Sequence, residues 1–137
     1  MPDMLDAMVI SSYGMRAQGE RTRVISENIA NANTGALTPT SEPYSRKVIT
    51  FENELNRDYG HRTVKVEDIT DDRRDEFPLR YMPDHPGANE AGYVQMPNVN
   101  MLVELNDMRE AQRSYEANLG MIEQSRTMAS RTVDLLR

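Results

Sequence analysis

Two histidines, His61 and His85, are the only imidazoles that this chain offers as acids, bases or metal ligands. His85 stands between Asp84 and Pro86, a pattern typical of a surface turn rather than of a catalytic base. The sequence has no cysteine, which excludes disulfides, thiolate metal sites and cysteine nucleophiles. Motifs for serine nucleophiles, phosphate loops and zinc peptidases are absent as well. We therefore predict no catalytic residues.

The densest charge run, residues 71–76, reads Asp-Asp-Arg-Arg-Asp-Glu and is the closest approach to a metal site. A calcium loop needs oxygen ligands at alternate positions and a central glycine, and this run has neither. Mixed charges of this kind are typical of a solvated turn. Carboxylates elsewhere offer acid and base pairs in principle, but the sequence gives no means of selecting two of them. The sequence thus predicts no metal, no cofactor and no enzyme.

Composition favours an elongated, exposed molecule of one ordinary domain. Only 38% of the 137 residues are hydrophobic, there is no Trp, and the mean hydropathy is −0.70. A net charge of −6 disfavours nucleic acid and anionic lipid surfaces as partners. No apolar run is long enough for direct membrane insertion. Asp3 and Asp6 stand where a cleaved signal peptide needs basic residues, so none is expected.

Prolines divide the chain into a terminal, a middle and a second terminal segment. Six of the seven prolines lie between residues 39 and 97. The predicted boundaries are 1–35 for an N-terminal helix, 36–97 for a small β-rich domain with loops, and 98–137 for a C-terminal helix.

The N-terminal segment has the periodicity of a long helix. Apolar side chains recur at helical spacing, and we predict that they form an assembly seam: Leu5, Met8, Met15, Ile25 and Ile29. Ser12, Gly19 and Ser26 flank this seam with small side chains that permit close approach of another backbone. Asparagines and a glycine at residues 28–35 predict the end of the helix.

The C-terminal segment carries a stronger pattern, in two rows of seven-residue spacing. One row is apolar throughout and consists of Met101, Met108, Tyr115, Ile122, Ala129 and Leu136. The other alternates apolar with polar residues and consists of Asn98, Leu105, Gln112, Leu119, Arg126 and Val133. Polar members lower stability but can fix register and select neighbours. Because the seams hold few large apolar groups, we expect the helices to order mainly on contact with other subunits, although an intramolecular hairpin stays an alternative.

The middle segment alternates as strands do at residues 44–51, 62–69 and 77–82, which predicts a three-stranded sheet. The predicted fold class is therefore α+β. Long N- and C-terminal helices form a coiled-coil-like domain, and a small antiparallel β-rich domain lies between them in sequence.

Four short motifs carry a family resemblance. They are Asn-Ile-Ala-Asn-Ala-Asn-Thr at 28–34, Pro-Tyr-Ser-Arg-Lys at 43–47, Gly-Tyr-Val-Gln-Met-Pro-Asn-Val-Asn at 92–100 and Ser-Tyr-Glu-Ala-Asn at 114–118. The motif residues are Asn28, Asn31, Asn33, Thr34, Pro43, Tyr44, Gly92, Tyr93, Pro97, Asn98, Asn100, Tyr115 and Asn118. At this spacing, in so short a chain, they resemble the axial rod and hook proteins of the bacterial flagellum, and the proximal rod in particular.

That resemblance implies a structural subunit that polymerises through its terminal helices and transmits torque to the distal rod and hook. The implied partners are rod subunits of the FlgB, FlgF and FlgG type, FliE, the MS-ring protein FliF, further copies of the chain, and the type III export apparatus. The implied location is the basal-body rod that spans the periplasm, reached by export without signal cleavage. An exported or cytosolic coiled-coil scaffold or adaptor is the alternative function.

Overall fold

The computed structural model describes residues 4–57, 60–74 and 76–135. Its elements are α1 (Met4–Ala30), β1 (Lys47–Asn56), β2 (His61–Asp71), β3 (Leu79–Tyr81), β4 (Tyr93–Gln95) and α2 (Met101–Leu135). An N-terminal helix, a small β middle and a C-terminal helix confirm the α+β class. Neither helix has the long apolar run that crossing a bilayer requires, within the ranges just given.

The predicted three-stranded sheet is wrong, because the described strands form two separate two-stranded sheets, β1–β2 and β3–β4. The third predicted strand exists as β3, but it pairs with β4 in an antiparallel register that sets Tyr81 opposite Tyr93. Strand β4 was not predicted, because its three residues lie outside the alternating stretches. Gly92 precedes β4 with a φ of +81°, a conformation that favours glycine.

Both helices end or begin on an asparagine, as expected for residues whose side chains compete for backbone hydrogen bonds. At the end of α1, the backbone N–H and the side-chain Nδ2 of Asn31 both donate to the carbonyl of Glu27, at 3.1 and 2.9 Å. Before α2, Asn100 is the N-cap, since its Oδ1 accepts from the N–H groups of Leu102 at 3.0 Å and Val103 at 3.4 Å.

The chain divides into two compact units, the first of which comprises Met1–Thr22, Ile49–Asp68 and Arg109–Arg137. Here α1 and α2 run antiparallel, because Gly14 lies against Asn118 and Arg21 pairs with Glu110 at 3.6 Å. A Cβ on Gly14 would stand 2.9 Å from the Asn118 amide, so glycine is what allows this close approach.

The β1–β2 hairpin contacts α1 within this first unit. The Nε2 of His61 lies 2.8 Å from the Asp6 carboxylate, and Asn56 Nδ2 donates to the Tyr13 hydroxyl at 3.3 Å. The hairpin turn contains Gly60, which has a φ of +70° and donates its N–H to the Asn56 carbonyl at 2.8 Å.

The second unit comprises Arg23–Val48 and Ile69–Met108. Its apolar core consists of Ala36, Val94 and Met96, with Met82 and Ala88 packed against it. The Ala36 N–H donates to the Gln95 carbonyl at 3.0 Å, which fixes the segment after α1 to the edge of β4.

Candidate assembly site

Asn28, near the end of α1, is the first of two centres of a buried polar network in the second unit. It is 1% exposed. Its Oδ1 accepts from the Tyr44 hydroxyl at 2.8 Å and from the Lys47 N–H at 2.9 Å. Its Nδ2 donates to the Lys47 carbonyl at 2.8 Å and to Glu104 Oε2 at 3.2 Å. An amide side chain has two donors and two acceptor sites, so all four are occupied.

Arg46, just before β1, is the second centre, and it faces three carboxylates. Its Nε donates to Glu104 Oε1 at 2.6 Å, and its terminal nitrogens lie 3.5 Å from Asp72 and 3.8 Å from Asp107. Glu104, in the first turn of α2, is 0% exposed. Burial lowers the pKa of the Arg46 guanidinium, but the hydrogen bond and charges of these carboxylates outweigh it and raise the pKa overall. The cation is therefore permanent, and it compensates the buried charge of Glu104.

Asn98 extends the network through hydrogen bonds to the backbone of Arg46 and of Asp72. Asn98 Oδ1 accepts from the Arg46 N–H at 2.7 Å, and its Nδ2 donates to the Asp72 carbonyl at 2.7 Å. Hydrogen bonds from Arg74 chiefly lower the pKa of the Asp72 carboxyl, against the effect of burial, and the Arg74 and Arg46 charges lower it further. Asp72 consequently stays ionised at neutral pH and remains a partner for Arg46.

Tyr44 and Lys47 connect the segment around the start of β1 to residues of α1. Burial raises the pKa of Tyr44 to about 12, and the charges of Glu27, Asp71 and Glu104 raise it in the same direction. The hydroxyl therefore stays protonated and donates a hydrogen bond to Asn28 Oδ1. The Lys47 ammonium pairs with the Glu27 carboxylate on α1.

This network is a structural clamp, because its described polar groups are occupied by one another. It joins α1, the segment entering β1, the segment before α2 and the first turn of α2 through side chains. Removing one member strands its buried partners, which makes the network costly to break. Across residues 4–57, 60–74 and 76–135, no three His, Cys, Asp or Glu side chains are grouped to hold a metal ion.

The predicted seam of α1 is only partly buried. Ile25 is buried, Met8, Met15 and Ile29 are half-buried, and Leu5 is exposed. The buried positions that the prediction omitted are Ser11, Ala17, Val24 and Asn28. Small and polar side chains thus make up much of the buried face of this helix.

The predicted seam of α2 is largely exposed, and its buried row is a different one. The buried or half-buried row at seven-residue spacing is Glu104, Ala111, Asn118 and Ser125, in which only Ala111 is apolar. Met108 and Ile122 are half-buried, whereas the exposed members of the predicted seam are Met101, Leu105, Gln112, Tyr115, Leu119, Arg126 and Val133. Leu136 lies outside the described residues. We name the exposed row Leu105, Gln112, Leu119, Arg126 and Val133 the α2 stripe.

The motif residues have different structural roles. Asn28, Tyr44 and Asn98 meet in the network, Asn31 and Asn100 bond the helix ends, and Pro43 and Pro97 are buried. Gly92 forms the turn before β4. The Tyr93 ring packs edge-on against the Tyr81 ring, with their centroids 5.3 Å apart. Tyr115 and Asn118 lie on α2, where Asn118 contacts Gly14. Asn33 and Thr34 are exposed.

Sequence reasoning missed Glu104 and Asp72 as partners of Arg46. A lone Glu on a charged helix and an Asp inside a mixed charge run look solvated in sequence. One signal was available, since Glu104 starts a row of small and polar side chains at seven-residue spacing, which continues with Ala111, Asn118, Ser125 and Thr132. Such a row beside an apolar one indicates a helix with two contact faces.

The sequence is similar to those of known flagellar rod proteins. A family model described as "Flagellar basal body rod FlgEFG protein C-terminal" matches residues 90–135. The flagellar basal-body rod protein FlgC of Agrobacterium fabrum is 46% identical over 137 residues, which cover 100% of this chain and 98% of that protein. FlgC proteins of Aquifex aeolicus and Borreliella burgdorferi are 36% and 34% identical, each with 98% of both chains covered. The chain therefore belongs to the FlgC family of flagellar basal-body rod proteins, which are structural components and not enzymes.

Proposed function

We propose that this chain is a structural subunit of the proximal rod, that it polymerises through its terminal helices, and that it transmits torque to the distal rod and hook. The observation that carries the proposal is the α2 stripe. Leu119 is 39% exposed, Leu105 42% and Val133 61%, whereas the buried row of the same helix is mostly polar. Exposed apolar rows rimmed by polar residues mark protein interaction sites.

The proposed neighbours are rod subunits of the FlgB, FlgF and FlgG type, FliE, the MS-ring protein FliF and further copies of the chain. In the proposed domain organisation, residues 1–35 and 98–137 supply the assembling helices and residues 36–97 the β-rich domain. The clamp around Arg46 supports a role in torque, because a saturated buried network resists shear between the segments that it joins.

The proposed location is the basal-body rod in the periplasm, reached through the type III export apparatus without signal cleavage. The absence of cysteine is compatible with this route, since the chain carries no thiol that an oxidising compartment would pair. Small, polar seams also suit a subunit that has to unfold for passage and refold afterwards.

Replacing Leu119 with Asp is expected to abolish rod assembly while the free subunit stays folded. Burying an uncompensated carboxylate in an interface is unfavourable by several kcal/mol, and at its present position the side chain meets solvent. The measurement is complementation of a strain whose own FlgC gene is deleted, scored by swimming in soft agar and by isolated hook–basal bodies. Circular dichroism of the purified variant checks its helix content.

The matched control is Gln124→Asp, which adds the same charge to an exposed position on another face of α2. We expect this variant to swim normally. Normal hook–basal bodies in the Leu119→Asp strain would contradict polymerisation through the α2 stripe.

A further inference from the structure

Arg126 is the one charged residue of the α2 stripe. Its side chain is exposed and makes no hydrogen bond or ion pair with any residue that the structure describes. Glu123, three positions earlier on the same helix, is close enough in sequence to form a helical pair, yet the two side chains are not paired. The guanidinium is therefore available to a partner.

Docking of the α2 stripe buries Arg126 between two apolar neighbours of the same row. Leu119 lies two helical turns before it and Val133 two turns after it. An arginine that loses its water without gaining a carboxylate is strongly unfavourable, whereas a paired guanidinium is tolerated. The occupant of the stripe must therefore bring an Asp or Glu to this position.

A second copy of this chain is poorly suited to that role. The two seven-residue rows of the predicted α2 seam contain no acidic residue, and neither does the predicted seam of α1. Parallel pairing of two α2 stripes in register would set Arg126 against Arg126, which is repulsive. Glu116 and Glu123 lie on the adjacent row and would reach a docked Arg126 only from the edge of the contact.

We propose that the α2 stripe docks on a helix of a different rod chain, one whose apolar row carries a carboxylate opposite Arg126. This inference rests on the proposed polymerisation through the terminal helices. It specifies the partner by its chemistry, and it makes Arg126 the residue that selects the partner and its register.

Arg126→Met distinguishes the possible occupants because it keeps an unbranched, flexible side chain and removes the guanidinium charge. Opposite a carboxylate, the substitution strands a buried acid, and we expect isolated hook–basal bodies to fall about tenfold or more. Arg126→Lys retains the charge and should assemble within about threefold of the unsubstituted chain. The control is Arg113→Met, at an exposed position off the stripe, which should assemble normally. Assembly of Arg126→Met at or above the unsubstituted level would overturn the proposal.

A photo-crosslinking amino acid at position 126, irradiated in assembled basal bodies, identifies the occupant directly. An adduct with a different rod chain supports the proposal, and an adduct of two copies of this chain overturns it. The Leu119→Asp strain shows whether a negative result contradicts only the carboxylate partner or also the proposed function. If Leu119→Asp blocks assembly while Arg126→Met does not, only the carboxylate partner is wrong; if Leu119→Asp assembles, both proposals fail.

Discussion

Replacing Glu104 with Ala is expected to lower the free energy of unfolding by about 3 kcal/mol, because it leaves the Arg46 cation without its closest buried partner. Glu104 is fully buried and bonds Arg46 Nε at 2.6 Å and Asn28 Nδ2 at 3.2 Å. Asp72 and Asp107 lie further from the guanidinium, at 3.5 and 3.8 Å, and compensate its charge less. Urea denaturation followed by circular dichroism measures the change.

Two further variants show whether this loss comes from the clamp. Glu104→Gln keeps the size and one acceptor and should lose less than Glu104→Ala. Glu110→Ala removes an exposed acid of the same helix, which pairs with Arg21 at 3.6 Å, and should change stability by less than about 1 kcal/mol. Equal losses for Glu104→Ala and Glu110→Ala would show that the buried pair has no special role.

Replacing Asn28 with Ala should have a similarly large effect, about 3 kcal/mol, because it strands several buried groups at once. The Tyr44 hydroxyl, both backbone polar groups of Lys47 and the Glu104 carboxylate all lose a partner. The measurement is again urea denaturation. Asn33→Ala is the matched control from the same motif, since Asn33 is exposed and should change stability by no more than about 0.5 kcal/mol.

Asn28→Asp tests the donor role of the amide without changing its shape. Its Oδ1 still accepts from Tyr44 and Lys47, but its second oxygen would face Glu104 and the Lys47 carbonyl, and like charges repel. We expect this variant to be destabilised as well. Asn28→Ala and Glu104→Ala combined should cost less than the sum of the two, because they share a hydrogen bond. Full additivity would show that the two residues act independently.

The helices were predictable because each has a long seven-residue periodicity and an asparagine at one end. The sheets were only partly predictable. Strands β1 and β2 alternate over ten and eleven residues, which is long enough to detect, whereas β4 is three residues long. Its pairing with β3 depends on the turn at Gly92, and a glycine alone does not specify a partner strand.

The contact faces of the helices follow a rule that hydrophobicity alone does not reveal. Periodicity identified the apolar rows and assigned them to a seam, but in α2 the buried row holds Glu104, Asn118 and Ser125 while Leu119 stays exposed. Small and polar side chains permit close helix contact at Gly14 and supply the hydrogen bonds of the clamp. Under the proposed function, the exposed apolar residues of α2 are available for contacts with other subunits.

Asn28, Tyr44 and Asn98 were found through the family resemblance, but their common role depends on tertiary structure. They are separated by up to 70 residues in sequence and meet around Arg46 and Glu104. No local pattern reports which carboxylate a distant arginine will face. In α2, a buried row of mostly polar side chains and an exposed apolar row would let folding and the proposed polymerisation use different faces.

The most direct test of this division is the reactivity of a single cysteine at position 119. Because the chain contains no cysteine, Leu119→Cys gives one thiol in the middle of the α2 stripe. Maleimide labelling is measured on the purified subunit and on isolated hook–basal bodies that contain it, with Gln124→Cys as the control. We predict that labelling at position 119 slows at least about tenfold on assembly while the control changes little. Equal labelling rates at position 119 in the free subunit and the assembled rod would contradict the account.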